Sequence, residues 1–189
     1  LGKAELENIN QIYIVACGTA YYAGLVGKYL LERIVRIPVN ADVASEFRYK
    51  DPLIDEHTLV IVISQSGETA DTHSALKLAK SKGARVLGVV NAVGSSIARD
   101  ADDVLYTLAG FEIAVASTKA FSAQVVAMYL ITLHIAQELG KIDDKTFAEI
   151  KKAMDRLPSQ INDILTKAVP AIRGFVNKYI SSKNVFYIG

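Results

Sequence analysis

Ser64-Gln65-Ser66-Gly67-Glu68-Thr69 follows directly on the apolar run 59–63, so a buried strand empties into a turn crowded with hydroxyls and backbone amides. The chemistry this suits is anion binding. Gly67 lets the main chain curl tightly, and the first N–H groups of a helix starting beyond it have no intrahelical acceptor and point at any anion placed there. The hydroxyls of Ser64, Ser66 and Thr69 add neutral hydrogen bonds. A nucleotide P-loop ends in Gly-Lys-Ser/Thr to reach further phosphates and a magnesium ion. No Lys lies in this loop, so a single phosphate monoester is the ligand expected. On spacing alone, a plain strand-to-helix turn with a Ser cap explains the loop equally well.

The elements that must position this loop are legible as apolar runs at 12–16, 39–43, 59–63, 86–90, 104–108 and 185–188. Their hydrophobicity is continuous rather than alternating, which is the pattern of parallel strands covered on both faces. Segments 21–35 and 69–82 have helical length and spacing, the second stopped by Gly83. Together these predict an α/β fold, a three-layer α/β/α sandwich around a doubly wound, mainly parallel five-stranded sheet of flavodoxin-like order. In such sheets the ligand lies outside the carboxyl ends of the strands. Three turns converge there: Cys17-Gly18-Thr19-Ala20, the 64–69 loop, and 91–96. After the fifth run, 110–119 leads into an apolar helix that Ser117 or Thr118 can cap, and is placed to close over a ligand.

That helix, 120–136, carries apolar residues on every side of its wheel and falls short of the roughly 20 residues of a bilayer span. It is expected to be enclosed by more than one neighbour, and its 129–135 stretch to leave apolar surface for a further domain or a second copy in a homodimer. Helices are expected at 143–157 and 159–168, broken by Pro158, with Pro170 opening another to residue 182. Val185-Phe186-Tyr187-Ile188-Gly189 repeats the pattern of the first strand and its Gly18, as though a second copy of the fold began there.

Composition narrows the function. The chain has 189 residues, 51% apolar, with 21 basic against 20 acidic side chains and no basic block, which disfavours nucleic acid as a partner. The single cysteine, Cys17, excludes an internal disulfide or a Cys-rich metal site and suits a reducing, cytoplasmic setting. Residues 1–10 read as a short polar helix rather than a leader, and no membrane span is expected. Cys17 has no His or carboxylate in a recognisable pairing and reads as a small packed residue. His57 precedes a strand, at the wrong end of the sheet. His134 falls on the enclosed helix as a hydrogen-bonded interface residue, and His73 lies one turn past the loop, where packing is expected. Glu68 is expected to point away from the phosphate into a capping or first-turn role. Lys119 has two candidate partners, a ligand phosphate and Glu112, and the sequence leaves both open.

Three separated motifs, 64–72 (SQSGETADT), 44–49 (ASEFRY) and 115–121 (VASTKAF), together resemble the sugar isomerase (SIS) domain of the glucosamine-6-phosphate synthases, the isomerising glutamine–fructose-6-phosphate aminotransferases. The resemblance implies an enzyme that converts fructose 6-phosphate and glutamine to glucosamine 6-phosphate and glutamate without metal or redox cofactor. It implies that 1–182 form the first of two tandem SIS domains with trailing helices, and that 183–189 open the second. A glutaminase domain and the second SIS subdomain are then the missing partners. Residue by residue, it carries phosphate binding to Ser64, Gln65, Ser66 and Thr69, sugar contacts to Val115 and Ser117, and the adjoining turn to Cys17, Gly18, Thr19 and Ala20. Where this chain has Ala20 the family commonly has Ser, so one hydroxyl contact is lost. The family's reacting His, Lys and Glu lie in the second subdomain, so no catalytic residue is assigned here, and this chain is expected to bind hexose 6-phosphate without turning it over. The competing reading is a non-catalytic phosphosugar sensor domain of a transcriptional regulator. A self-sufficient isomerase would need its own acid–base pair, and none is evident.

Overall fold

The computed structural model describes residues 1–113 and 117–186. Five of the apolar runs form strands: β1 (Gln11–Ala16), β2 (Val39–Val43), β3 (Thr58–Ser64), β4 (Arg85–Val90) and β5 (Asp103–Tyr106). All four pairings are parallel and the order is β2-β1-β3-β4-β5, the doubly wound arrangement expected. Every residue of β3 is buried because it runs through the middle of the sheet with helices on both faces.

The pleat sends alternate residues of one strand into opposite cores. Ile12 and Ile14 of β1 join Leu31 of α2 (Thr19–Ile34) and Met128 and Ile135 of α6 (Lys119–Glu138) on one face. Tyr13 and Val15 join Phe47 of α3 (Ala44–Phe47) and Leu76 of α4 (Ala70–Ser81) on the other. Two shorter helices, α1 (Lys3–Glu7) and α5 (Ser96–Asp100), complete this unit, Leu1–Asp143.

Close packing of α2 on the sheet depends on a glycine. A Cβ on Gly24 would lie 2.7 Å from Ile14 Cγ2, well inside van der Waals contact. Gly24→Ala gains about 1 kcal/mol of helix propensity, but overpacking costs about 1–3 kcal/mol. The expected outcome is a net loss of about 1 kcal/mol, read as a lower urea midpoint at unchanged m-value.

Five expectations need correction. β5 ends at Tyr106 rather than at 108, because Leu108 takes a left-handed φ of 51° that a strand cannot continue. Helix α6 reaches 20 residues and is long and apolar enough to cross a membrane by length and composition, with 50% of its most apolar window buried. Its own unit covers much of the 129–135 stretch: Ile131, Leu133 and Ile135 are buried, and Leu130 is the exposed exception among its large aliphatic residues. The two helices expected around Pro170 are one. In the second unit, Asp144–Gly189, α7 (Asp144–Asp155) is followed by α8 (Leu157–Tyr179). Pro158 sits in the first turn of α8, where a missing N–H costs nothing, and Pro170 lies inside it. The carbonyl of Thr166 that Pro170 leaves without a donor is on an exposed residue, so water can satisfy it. Val185 and Phe186 are not in a strand, and the remainder of the run expected at 185–188 lies outside the described residues.

Candidate functional site

The carboxyl ends of β1 and β3 open onto a cleft of about 650 Å³ lined by Cys17, Gly18, Thr19 and Ala20 on one side and Ile63, Ser64, Gln65, Ser66 and Thr69 on the other, with Glu112, Ile113 and Ser117 closing it. Nine of the ten residues singled out from sequence therefore share one cavity. Val115, the tenth, lies outside the described residues.

Two helix N-termini face this cleft. The chain leaves β1 at Ala16 and turns through Gly18, whose φ of 57° and ψ of −135° suit only glycine well, before entering α2. It leaves β3 through the 64–69 loop and enters α4, with Thr69 as N-cap. Gly18 has no side chain with which to cap α2, and the Thr69 side chain makes no capping bond to α4. Apart from that of Tyr21, which donates to the Gly18 carbonyl at 3.1 Å, the first-turn N–H groups of both helices thus remain for an anion, with the positive ends of both helix dipoles behind them.

The loop hydroxyls also hold the loop itself. Ser64 Oγ accepts from the Gly67 N–H at 3.0 Å and lies 2.9 Å from Thr69 Oγ1, while Ser66 Oγ accepts from the Glu68 N–H at 3.2 Å. The neighbouring turn backs it: the Ile97 N–H donates to the Gly67 carbonyl at 3.0 Å and the Asn91 N–H to the Gln65 carbonyl at 3.1 Å. Glu68 points away from the cleft as expected, but caps α5 rather than α4, accepting from the Ser96 N–H at 2.7 Å. The Ser96 hydrogen bonds, from its hydroxyl and its backbone N–H, hold the Glu68 carboxyl below the usual Glu range.

Of the three turns, the 91–96 turn does not line this cleft but supports it. The Asn91 amide donates to the Gly110 carbonyl at 2.8 Å, and its oxygen accepts from the Ala109 N–H at 2.7 Å and the Thr107 hydroxyl at 3.2 Å. This clamp turns the chain away from the sheet after β5 and delivers Glu112 and Ile113 to the cleft. Sequence reading missed both as lining residues, because only their position after the fifth strand hinted at it.

The 44–49 motif is structural. Phe47 is fully buried and meets Tyr13 edge-on with ring centroids 5.7 Å apart, while Arg48 donates to Asp71 of α4 at 2.8 Å. It braces the helix that carries the loop. Thr118 stands at the N-cap of α6 without a side-chain capping bond, and Lys119 donates to the Phe111 carbonyl instead of pairing with Glu112.

None of the histidines lines the cleft. His57 Nδ1 is 3.1 Å from the Asn8 carbonyl and His134 Nε2 is 2.8 Å from that of Leu1; both side chains are exposed. His73 Nε2 lies 2.6 Å from Asp100 Oδ2, and this hydrogen bond is the main cause holding the Asp100 carboxyl below the ordinary Asp value. A depressed folded-state pKa gives stability that is present above the unfolded value and lost as pH falls through the folded one. Urea midpoints are therefore expected to fall on acidification below about pH 4, less steeply in His73→Ala. Cys17 is half-buried and receives the Thr72 hydroxyl at 3.8 Å from its Sγ. Among the described residues no group of three or more His, Cys, Asp or Glu side chains is placed to hold a metal.

The model of the SIS domain matches residues 5–134, which span the whole sheet and its cleft. The chain belongs to the SIS domain family. The isomerising glutamine–fructose-6-phosphate aminotransferase of Clostridium tetani is 55% identical over 189 residues, all of this chain and 31% of that protein. The chain thus spans under a third of the relative's length. Among solved structures, the C-terminal domain of glucosamine-fructose-6-phosphate aminotransferase from Francisella tularensis superposes with a TM-score of 0.88 at 36% identity, over 95% of this chain and 51% of that one. Glucosamine-6-phosphate deaminase from Thermotoga maritima shares the SIS architecture at a TM-score of 0.64 and 26% identity, over 77% of this chain and 45% of that one.

Proposed function

We propose that this chain is the phosphosugar-binding half of the isomerase domain of a glutamine–fructose-6-phosphate aminotransferase, taking fructose 6-phosphate or glucosamine 6-phosphate in the cleft between α2 and α4. The single observation that carries this reading is the convergence of two uncapped helix N-termini and five Ser or Thr side chains, Thr19, Ser64, Ser66, Thr69 and Ser117, on one cavity. Amides and hydroxyls supply neutral donors, and the helix dipoles supply the field, so a phosphate monoester is held without a lysine in the loop. Fixing the phosphate sets the position of the sugar carbons, which is what a proton transfer between adjacent carbons requires of its binding partner.

In this reading Ser64, Gln65, Ser66 and Thr69 hold the phosphate. Cys17, Gly18, Thr19 and Ala20 flank it, and Val115 and Ser117 meet the sugar. The 55% identity along the whole chain to an aminotransferase favours the synthase over a sensor domain. The acid and base are assigned to a second SIS subdomain beginning at 183–189, and the release of ammonia to a glutaminase domain. Cytoplasmic residence and self-association belong to the same reading.

The test is a titration of the isotope-labelled chain with fructose 6-phosphate, following amide shifts. Movements confined to 17–20, 63–72 and 112–117 are expected. An unmoved loop with shifts elsewhere overturns the site. Formation of glucosamine 6-phosphate from fructose 6-phosphate and ammonia by this chain alone overturns the assignment of catalysis to the remainder.

A further inference from the structure

The side of the cleft closed by the segment after β5 carries a group that the phosphate cradle does not use. Glu112 lines the cavity, and its Oε2 is buried with no hydrogen-bond partner among the described residues. A buried carboxylate oxygen without a donor is costly, so such a group implies a partner that arrives from outside. Lys119, the nearest cation in sequence, is committed to the Phe111 carbonyl. The other buried unpartnered oxygen, Ser95 Oγ, does not line the cleft and packs against Gly67.

A carboxylate in the same cavity as an anion cradle also constrains the ligand. Phosphate is attracted to the amide-rich ends of α2 and α4 and repelled by Glu112, so the cavity favours a molecule with a phosphate at one end and hydrogen donors at the other. A cationic amine satisfies the carboxylate with a charge-assisted bond, roughly twice as strong as one from a hydroxyl. Resting on the phosphosugar reading above, we propose that Glu112 is a specificity-determining residue that receives the donor end of the ligand and favours an amine-bearing hexose phosphate over its hydroxyl counterpart. Glu112 is brought there by the Asn91 clamp on 107–110.

Calorimetric titration of the chain and of Glu112→Gln with glucosamine 6-phosphate, glucose 6-phosphate and inorganic phosphate separates this inference from the one it rests on. The native chain is expected to bind the amino sugar phosphate about tenfold tighter than the hydroxyl sugar phosphate. Glu112→Gln is expected to lose that preference while binding inorganic phosphate no more weakly than the native chain, since the charge that repels the anion is gone. The preference should also vanish as pH is raised until the ligand amine is neutral. A preference unchanged in Glu112→Gln, or an equal weakening of all three ligands, overturns the role of Glu112 and leaves the cradle standing. Failure of all three to bind the native chain overturns the cradle and this inference together.

Discussion

Replacing Gly67 by Ala is expected to destabilise the protein by about 2–5 kcal/mol and to abolish measurable hexose phosphate binding. Gly67 has φ +66°, and a left-handed conformation costs an L-residue with a side chain about 1–2 kcal/mol. The new Cβ would also stand 2.0 Å from Ser95 Oγ and 2.5 Å from Ser95 Cβ, so one of the two chains must move, at a further cost of about 1–3 kcal/mol. Movement has a functional price as well: the Gly67 N–H and carbonyl are both engaged, with Ser64 Oγ and the Ile97 N–H, so displacing the residue unseats the loop on both sides. Urea unfolding and ligand titration check the two effects separately. Ser95→Gly in the Gly67→Ala background removes the steric part and should restore about half of the lost stability. If Gly67→Ala alone leaves both stability and binding unchanged, the loop is not built as described.

The second large effect is expected at Ser64. Its hydroxyl is the hub of the loop, accepting from the Gly67 N–H and paired with Thr69 Oγ1, and its residue is buried at the end of the central strand. Ser64→Ala leaves the Gly67 N–H unpaired in a buried position, which costs about 1–3 kcal/mol, and removes one donor from the cleft. Affinity for fructose 6-phosphate is expected to fall at least tenfold, about 1.4 kcal/mol. Ser64→Thr keeps the hydroxyl and should recover most of it. Equal losses in both variants would assign the effect to packing of β3 instead of to the hydroxyl.

The sheet was readable from sequence because its inner strands β1, β3 and β4 are covered on both faces, and an unbroken run such as 59–63 is what that covering demands. Helix α4 was readable because Thr69 and Gly83 bracket it. The cleft followed from topology, since the residues after β1 and β3 must meet once those strands are neighbours. What escaped reading depends on contacts distant in sequence. The early end of β5 is dictated by Asn91, 15 or more residues away, and nothing in 104–108 announces it. Glu68 read as a capping or first-turn residue with no amide specified, and only the placement of α5 beside the loop shows which one it serves. Pro170 looked like a helix start because the rule against interior proline assumes a carbonyl that nothing else can satisfy, and on the exposed α8 water serves. The arrival of Glu112 in the cleft likewise depends on a side-chain clamp rather than on any local pattern.

The hydrogen bonds that tie the 64–69 loop to itself and to the 91–97 turn exist before any sugar arrives. A receptor already in its final shape spends little conformational entropy on capture. Encounter rates with different hexose phosphates should therefore be nearly uniform, and the protein should tell them apart by how long each one stays.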